Sequence, residues 1–245
     1  AAPTTAQTIY VRNLAPQFIS DATIKHDIPA WDQTINGDVA KFWPVRRIHL
    51  VFIGQKAAPY GAWEATFVSK GPIKGALAYH DTSNGAPSIT VYAGTGDYYG
   101  YDNSVSMTHE LQEEAVDPFI SRMSSGWPYD YFWLEHPDGS ITQEQVYAVG
   151  WFAEVSDPVE ADSYLIGDVK ISDFITPAWF NEGQSGVSSG RYDFMGLCQQ
   201  PFWIRPGGYA QYFDLSQGWV AVENFRHAGR DAAGFYLIEK TSKQG

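Results

Sequence analysis

Short apolar runs, some alternating with polar residues, predict five β-strands in the N-terminal half of the chain. The runs are TIYVRN, RRIHLVFIG, GAWEATFVS, KGALAYHD and SITVYAG, and turn-forming clusters such as TSNGAPS separate them. Between the first and second runs, from Asp21 to Phe42, apolar residues recur every three or four positions. This spacing predicts a helix in the segment, and Pro29 is predicted to start its regular part.

The next segment, YDNSVSMTHELQEEAVDP, predicts a loop followed by a second helix. Ser104, Ser106 and Thr108 are the candidate N-caps, and Pro118 lies just past the predicted end. The helix is rich in titratable residues, with one His, three Glu and one Asp between Ser106 and Pro118.

After Pro118 the sequence changes to aromatic, loop-rich segments. Hairpins are predicted in HPDGS, in LIGDVK, and between GGYAQYFDL and GWVAVENF, with GFYLIEK as a last strand. The segment EQVYAVGWFAEVSDP fits either a strand or a helix, and NEGQSGVSSG is typical of a linker. We therefore predict an α+β fold with an N-terminal subdomain, residues 1–118, and a loop-rich C-terminal subdomain, residues 119–245.

Composition limits the classes of protein and partner. Of 245 residues 44% are hydrophobic, enough to bury a sizeable core, and the net charge of −12 argues against nucleic-acid binding, which needs Lys and Arg. The single cysteine, Cys198, excludes an intrachain disulfide and a cysteine-based zinc site. No apolar run has the length of a transmembrane helix, so no membrane insertion is expected. The first residues, AAPTTAQT, lack an initiator Met, which favours the mature N-terminus of a secreted protein over a trimmed chain.

The motif H-E-x-x-E lies in the second predicted helix. His109 and Glu113 are four residues apart, so both side chains lie on one helix face and can reach one cation, with Glu110 beside them. The zinc motif H-E-x-x-H follows the same logic, with the Glu as general base. A carboxylate in place of the second His makes the site harder, so calcium or manganese becomes an alternative to zinc. The simpler alternative is an acidic helix start that complements the helix dipole.

A second acidic segment, WFAEVSDPVEAD, lies between apolar runs and contains Glu154, Asp157, Glu160 and Asp162. Carboxylates in such surroundings are expected to be partly buried, and buried charges need partners. A shared cation would partner both acidic segments at once. The alternative is a surface loop, because Asp-Pro also marks turns.

The order strand, helix, four strands and His-Glu helix resembles the N-terminal half of zincin metallopeptidases. The resemblance implies a zincin-like twisted mixed sheet that backs the active-site helix. It also implies an edge strand on which an extended peptide can pair, either KGALAYHD or SITVYAG.

The paired motifs also resemble those of exordium-like (phosphate-induced) proteins and related bacterial and fungal proteins of unassigned function. The matching segments are THELQEEAVDP and AEVSDPVEADSY, with DFITPAWF, YDFMGL and PGGY as further landmarks. The chain departs from that family at Val159, where Cys is common among relatives, and at Ser156, where Cys also occurs. No thiol role is therefore carried over.

The zincin resemblance implies a role for each acidic residue. His109 and Glu113 would be metal ligands, Glu154 the third ligand, and Asp157 either a ligand or the partner that orients His109. Glu110 would be the general base that takes a proton from a metal-activated water.

Four further residues are weaker candidates. Asp117 lies about 12 Å along a straight helix from His109, too far for one ion unless the helix ends first. Glu160 belongs to the second acidic segment. Tyr192 or His80 could stabilise an oxyanion, although a core aromatic and a turn residue are the simpler interpretations.

Three functions follow from these observations. The first is a metal-dependent hydrolase, a peptidase acting on peptides or proteins, with zinc as the expected cofactor. The second is a catalytically degenerate zincin-fold protein that acts as a secreted binding or signalling protein. The third is a carbohydrate-binding module, because exposed aromatic residues of the kind found in GWPYDYFW can stack on sugars.

Overall fold

The structure is a computed structural model that describes residues 6–71, 76–125, 130–146, 148–180 and 191–224. Three α-helices are found in these ranges: α1 Asp21–Gln33, α2 Ala93–Tyr99 and α3 Asn103–Val116. The strands are β1 Gln7–Asn13, β2 Ile48–Gly54, β3 Trp63–Val68, β4 Ala78–Ser83, β5 Ala86–Tyr92, β6 Met123–Ser125, β7 Asp130–Glu135, β8 Ile141–Val146, β9 Ala148–Phe152, β10 Ser163–Ile166, β11 Val169–Ser172, β12 Trp203–Ile204, β13 Tyr209–Asp214 and β14 Gly218–Glu223. The predicted α+β class is confirmed.

The chain forms two compact units. The first contains residues 1–120 and the hairpin Ser163–Ser172, and the second contains residues 121–162 and 173–245. The predicted division at residue 118 differs in one element, because the β10–β11 hairpin packs within the first unit. Sequence periodicity detects a hairpin but does not indicate which core the hairpin joins.

A five-stranded sheet in the order β2-β1-β3-β5-β4 forms the base of the first unit. The neighbours β2, β1, β3 and β5 are parallel to one another, and β4 runs antiparallel to β5 at the edge of the sheet. Asn84 and Gly85 join β4 to β5 in a two-residue turn in which both have positive φ, the conformation that an Asn-Gly hairpin turn requires. All five predicted strands of this half are therefore present, and β4 is an edge strand whereas SITVYAG lies inside the sheet as β5.

Helix α1 begins earlier than the sequence predicts. Ser20 is its N-cap and accepts a hydrogen bond from the backbone of Thr23, so Pro29 lies inside the helix and the prediction that it starts the helix is wrong. Pro29 is exposed, and water can therefore bond the backbone carbonyl that a proline leaves without a partner. The helix ends in a π-helical turn, Thr34–Asp38, that contains Gly37.

Helix α3 also begins before the predicted N-caps. The Asp102 carboxylate accepts a hydrogen bond from the Ser104 backbone, so Asp102 is the N-cap, and the predictions of Ser104, Ser106 or Thr108 are wrong. All three residues are buried, and the hydroxyl groups of Ser104 and Thr108 donate to the backbone carbonyls of Lys170 and Ser104. The short helix α2, which precedes α3, was not predicted from the sequence.

The second unit contains a three-stranded sheet, β12-β7-β8, and a four-stranded sheet, β14-β13-β9-β6. Its core is aromatic, with the ring of Trp151 lying 5.0 Å from both Phe202 and Tyr212. Trp133, from the segment proposed to bind sugars, stacks on buried Trp203 at 6.4 Å. The segment EQVYAVGWFAEVSDP, left open between helix and strand, contributes to β8 and β9.

Two predicted features, the linker NEGQSGVSSG and the last strand GFYLIEK, lie outside the described residues. Within the described part of the chain, no helix combines the length and apolarity needed to cross a membrane.

Candidate metal centre

Helix α3 is buried on almost every side although most of its residues are polar. On a helix with 3.6 residues per turn, side chains three or four positions apart lie on one face, and α3 presents three such rows. Met107 and Leu111 form an apolar row and are completely buried. The second row is Ser104, Thr108 and Gln112, and the third, which carries the predicted chemistry, is His109, Glu113, Glu110 and Glu114.

Each side chain of the second row is hydrogen-bonded to the backbone of β11. Thr108 Oγ1 accepts the Ser172 backbone N–H at 2.9 Å, and Gln112 Nε2 donates to the Ser172 carbonyl at 2.9 Å. Ser104 Oγ donates to the Lys170 carbonyl and accepts from Trp31 Nε1. Buried polar groups that are bonded in this way fix the rotation of α3 about its axis. The third row is thereby held in one orientation.

His80 joins the third row from the edge strand β4. Its Nδ1 lies 3.0 Å from Glu110 Oε2 and 3.5 Å from Glu113 Oε2, and only 7% of its side chain is exposed. The interpretation of His80 as a turn residue is therefore wrong, because the Asn-Gly turn comes after it and its strand position aims it at α3. The alternation of side chains along KGALAYHD is the sequence signal for this placement.

Glu113 lies between two imidazoles. Its Oε1 is 3.4 Å from His109 Nε2, as the spacing of four residues predicts, and its Oε2 faces His80. Both separations exceed the usual N–H···O distance of about 2.7–3.2 Å. They match the separation of about 3.4 Å between two ligands of a tetrahedral ion with bonds of about 2.1 Å.

Glu114 is a further acidic residue that the sequence reasoning did not single out. It is completely buried, and neither carboxylate oxygen has a hydrogen-bond partner among the residues that the structure describes. Burial raises the pKa of Glu114 to about 8, the charge of His80 opposes this rise, and the charge of Glu110 adds to it. The signal was its position four residues after Glu110 and next to the apolar row.

Three buried glutamates and two histidines therefore share one region of the first unit. Nitrogen and carboxylate oxygen are the donors that zinc and harder divalent cations accept. His80, Glu110 and Glu113 each offer one ligand atom, and these atoms lie within 4.8 Å of one another. The arrangement can hold a metal ion.

The other predicted residues belong to the end of α3 or to the second unit. Asp117 is the C-cap of α3 and is buried. Glu154, Asp157, Glu160 and Tyr192 belong to the second unit. Asp157 starts a 3₁₀ helix and is buried, whereas Glu154, Glu160 and Tyr192 are half-buried. Their contribution to a metal site stays a prediction.

The second unit contains a buried acid pair of another kind. Asp173 and Asp193 are completely buried and interact through their carboxyl groups. Burial is the main cause that raises the pKa of Asp173 to about 9, and the hydrogen bond with Asp193 adds to it. Both belong to Asp-Phe pairs, and the Phe174 and Phe194 rings stack at 5.2 Å. The repeated Asp-Phe in DFITPAWF and YDFMGL was the available sequence signal.

Comparisons with family models, with curated proteins and with solved structures give no significant match for this chain.

Proposed function

We propose that this protein is a metal-dependent hydrolase, acting as a peptidase, whose divalent cation is held by His109 and Glu113. One observation carries this proposal: Glu113 is buried between two imidazoles, with an oxygen 3.4 Å from His109. A carboxylate removed from water needs a cation, and an imidazole at that distance is a suitable second ligand. Zinc is the proposed ion, with Glu154 and Asp157 as further predicted ligands.

Glu110 is the proposed general base. A divalent cation bound beside it would lower the pKa of a water molecule and polarise a substrate carbonyl. Glu110 lies one residue from His109, and its Oε2 is fixed by His80 at 3.0 Å. A carboxylate held in one orientation accepts a proton without first reorganising, which is how a positioned base accelerates hydrolysis.

The sheet supports a zincin-like fold for the first unit. The helix with the His-Glu motif follows β5 directly through α2, and the sheet lies behind it, as that resemblance implies. The antiparallel edge strand β4 carries His80 toward the same helix. An extended peptide that pairs with β4 would therefore run beside the proposed cation.

Catalytic degeneration remains the second candidate, and one feature of the site favours it. The donors are rich in carboxylates, whose charge lowers the Lewis acidity of a bound ion relative to a site made of histidines. Such an ion would stabilise the fold while hydrolysing peptides slowly.

The Glu110→Gln variant tests the proposal against that alternative. We expect hydrolysis of casein or an unstructured peptide to fall about 10²- to 10⁴-fold, since this is the usual contribution of a general base. The bound metal should remain, as measured by elemental analysis. The exposed Glu144→Gln change is the matched control. Equal hydrolysis rates in Glu110→Gln and wild type would contradict the assignment of the base.

A further inference from the structure

Glu113 faces two different histidines with its two oxygens, Oε1 toward His109 and Oε2 toward His80. We propose that His80, Glu110 and Glu113 form a second cation site, and that Glu113 bridges the two ions. The inference rests on the proposed function for the identity of the first site, at His109. The second site takes the same class of ion, a divalent cation that accepts nitrogen and carboxylate ligands.

The distances suit a shared ion. His80 Nδ1 is 3.0 Å from Glu110 Oε2 and 3.5 Å from Glu113 Oε2. Ligands at bonds of about 2.0–2.2 Å lie about 2.8–3.6 Å apart in octahedral or tetrahedral geometry. All three side chains come from the rigid elements β4 and α3, so little rearrangement is needed to close around a cation.

Glu114 provides an independent reason to expect positive charge here. It is completely buried, and no residue in the described part of the chain hydrogen-bonds its carboxylate. It follows Glu113 directly and lies one helical turn after Glu110 on α3, which places it beside the ligands of the second site. A buried carboxyl group without a partner is costly, and a cation bound to its neighbours would offset that cost.

The second ion would inhibit the proposed reaction. Its ligands include Glu110 Oε2, so the carboxylate that accepts a proton in the one-ion form becomes a metal ligand in the two-ion form. Two divalent ions that share a carboxylate lie about 3.5–4 Å apart and repel each other. The second ion therefore binds more weakly than the first. The site thus senses excess metal.

Calorimetric titration with Zn²⁺ tests the second site without relying on hydrolysis. The chelator-stripped wild type is expected to bind two ions in two steps, and His80→Gln only one. The affinity of the second step should fall by more than about 100-fold, because loss of outer partners alone weakens metal binding about 10- to 100-fold. The exposed Asp81→Asn change on the same strand is the control and should retain two steps.

The outcomes separate the two proposals. One ion in wild type, lost in His109→Gln and kept in His80→Gln, would overturn the second site and leave the first. Two ions in wild type, with no hydrolysis even at one ion per chain, would support the second site and overturn the proposed function. If His80→Gln does not fold, the electron paramagnetic resonance of Mn²⁺-loaded wild type decides, because two ions about 3.5–4 Å apart are magnetically coupled. An uncoupled signal at saturation would overturn the proposal.

Discussion

Each unit of this protein buries a cluster of carboxyl groups, and the two clusters are satisfied by different means. In the second unit, Asp193 accepts the backbone N–H groups of Leu197 and Cys198, and Asp173 accepts those of Phe174 and Met195. In the first unit, the carboxylates of Glu110 and Glu113 face imidazoles, and Glu114 faces no hydrogen-bond donor among the described residues.

The comparison separates a structural acid pair from a candidate site. The backbone N–H groups that donate to Asp173 and Asp193 belong to the turns that the acid pair holds together. To be stable when buried, the pair therefore needs only one further group, a proton shared between the two carboxyl groups. The helix α3 uses its own backbone N–H groups internally, so its glutamates have none available in its interior. A bound divalent cation would stabilise them in the ionised form.

The largest expected effect is on cation binding by Glu113→Gln. Glu113 faces both histidines, and its loss removes a charge and a ligand from both sites, so the Zn²⁺ affinity should fall at least about 1,000-fold, more than the loss of an outer partner causes. Isothermal titration calorimetry measures it, with the exposed Glu144→Gln as control. Affinity within a factor of about ten of wild type, or about 1.4 kcal/mol, would remove the distinction between the two clusters.

The next effect is on the stability of the second unit in Asp193→Asn. The amide keeps one oxygen acceptor, so one of the two backbone N–H groups loses its bond, which should destabilise the fold by about 1–3 kcal/mol. Urea denaturation measures this loss, and Zn²⁺ affinity should not change. A loss below about 0.5 kcal/mol, as for an ordinary surface change, would show that the pair is not structural.

The acid pair also predicts a pH dependence. The pKa of Asp173 is about 9 in the folded protein, well above its value of 3.8 in the unfolded chain, so the folded state holds an extra proton between these values. Stability therefore falls as pH rises from about 4 to about 9. The Asp173→Asn variant should show a smaller fall in Tm between pH 5 and pH 9. An identical pH slope in the variant would place the proton elsewhere.

The smallest effect concerns Glu114. With a pKa raised to about 8, it destabilises the metal-free protein at pH 8, so Glu114→Gln should raise the Tm of that form by a few degrees. The Tm gained on adding Zn²⁺ should be smaller in this variant than in wild type, because a negative charge near the ion is missing. In Asp173→Asn the gain should equal that of wild type. Equal gains in all three proteins would show that Glu114 does not sense the cation.

Local signals explain how much of the fold and site could be predicted. The strands of the first sheet and the Asn-Gly turn follow from side-chain period and turn chemistry, and the pair His109 and Glu113 follows from helix geometry. Helix starts were misplaced, because Asp102 and Ser20 act as caps through single side-chain hydrogen bonds that compete with several similar candidates nearby.

The position of His80 and the role of Glu114 could not be predicted in the same way. His80 lies thirty residues before Glu110 in sequence. The two residues meet because β4 turns back beside β5, and pairing register is set by the fold as a whole. Glu114 gains its significance from burial, which depends on how α3 is rotated by its bonds to β11.

The central claim is that α3 holds a divalent cation through His109 and Glu113. Zn²⁺ titration of the chelator-stripped protein, with elemental analysis of the dialysed complex, tests it most directly. The account predicts at least one ion per chain in wild type and none retained after dialysis in His109→Gln combined with Glu113→Gln. A wild type that retains no ion, or a double variant that retains as much as wild type, would contradict it.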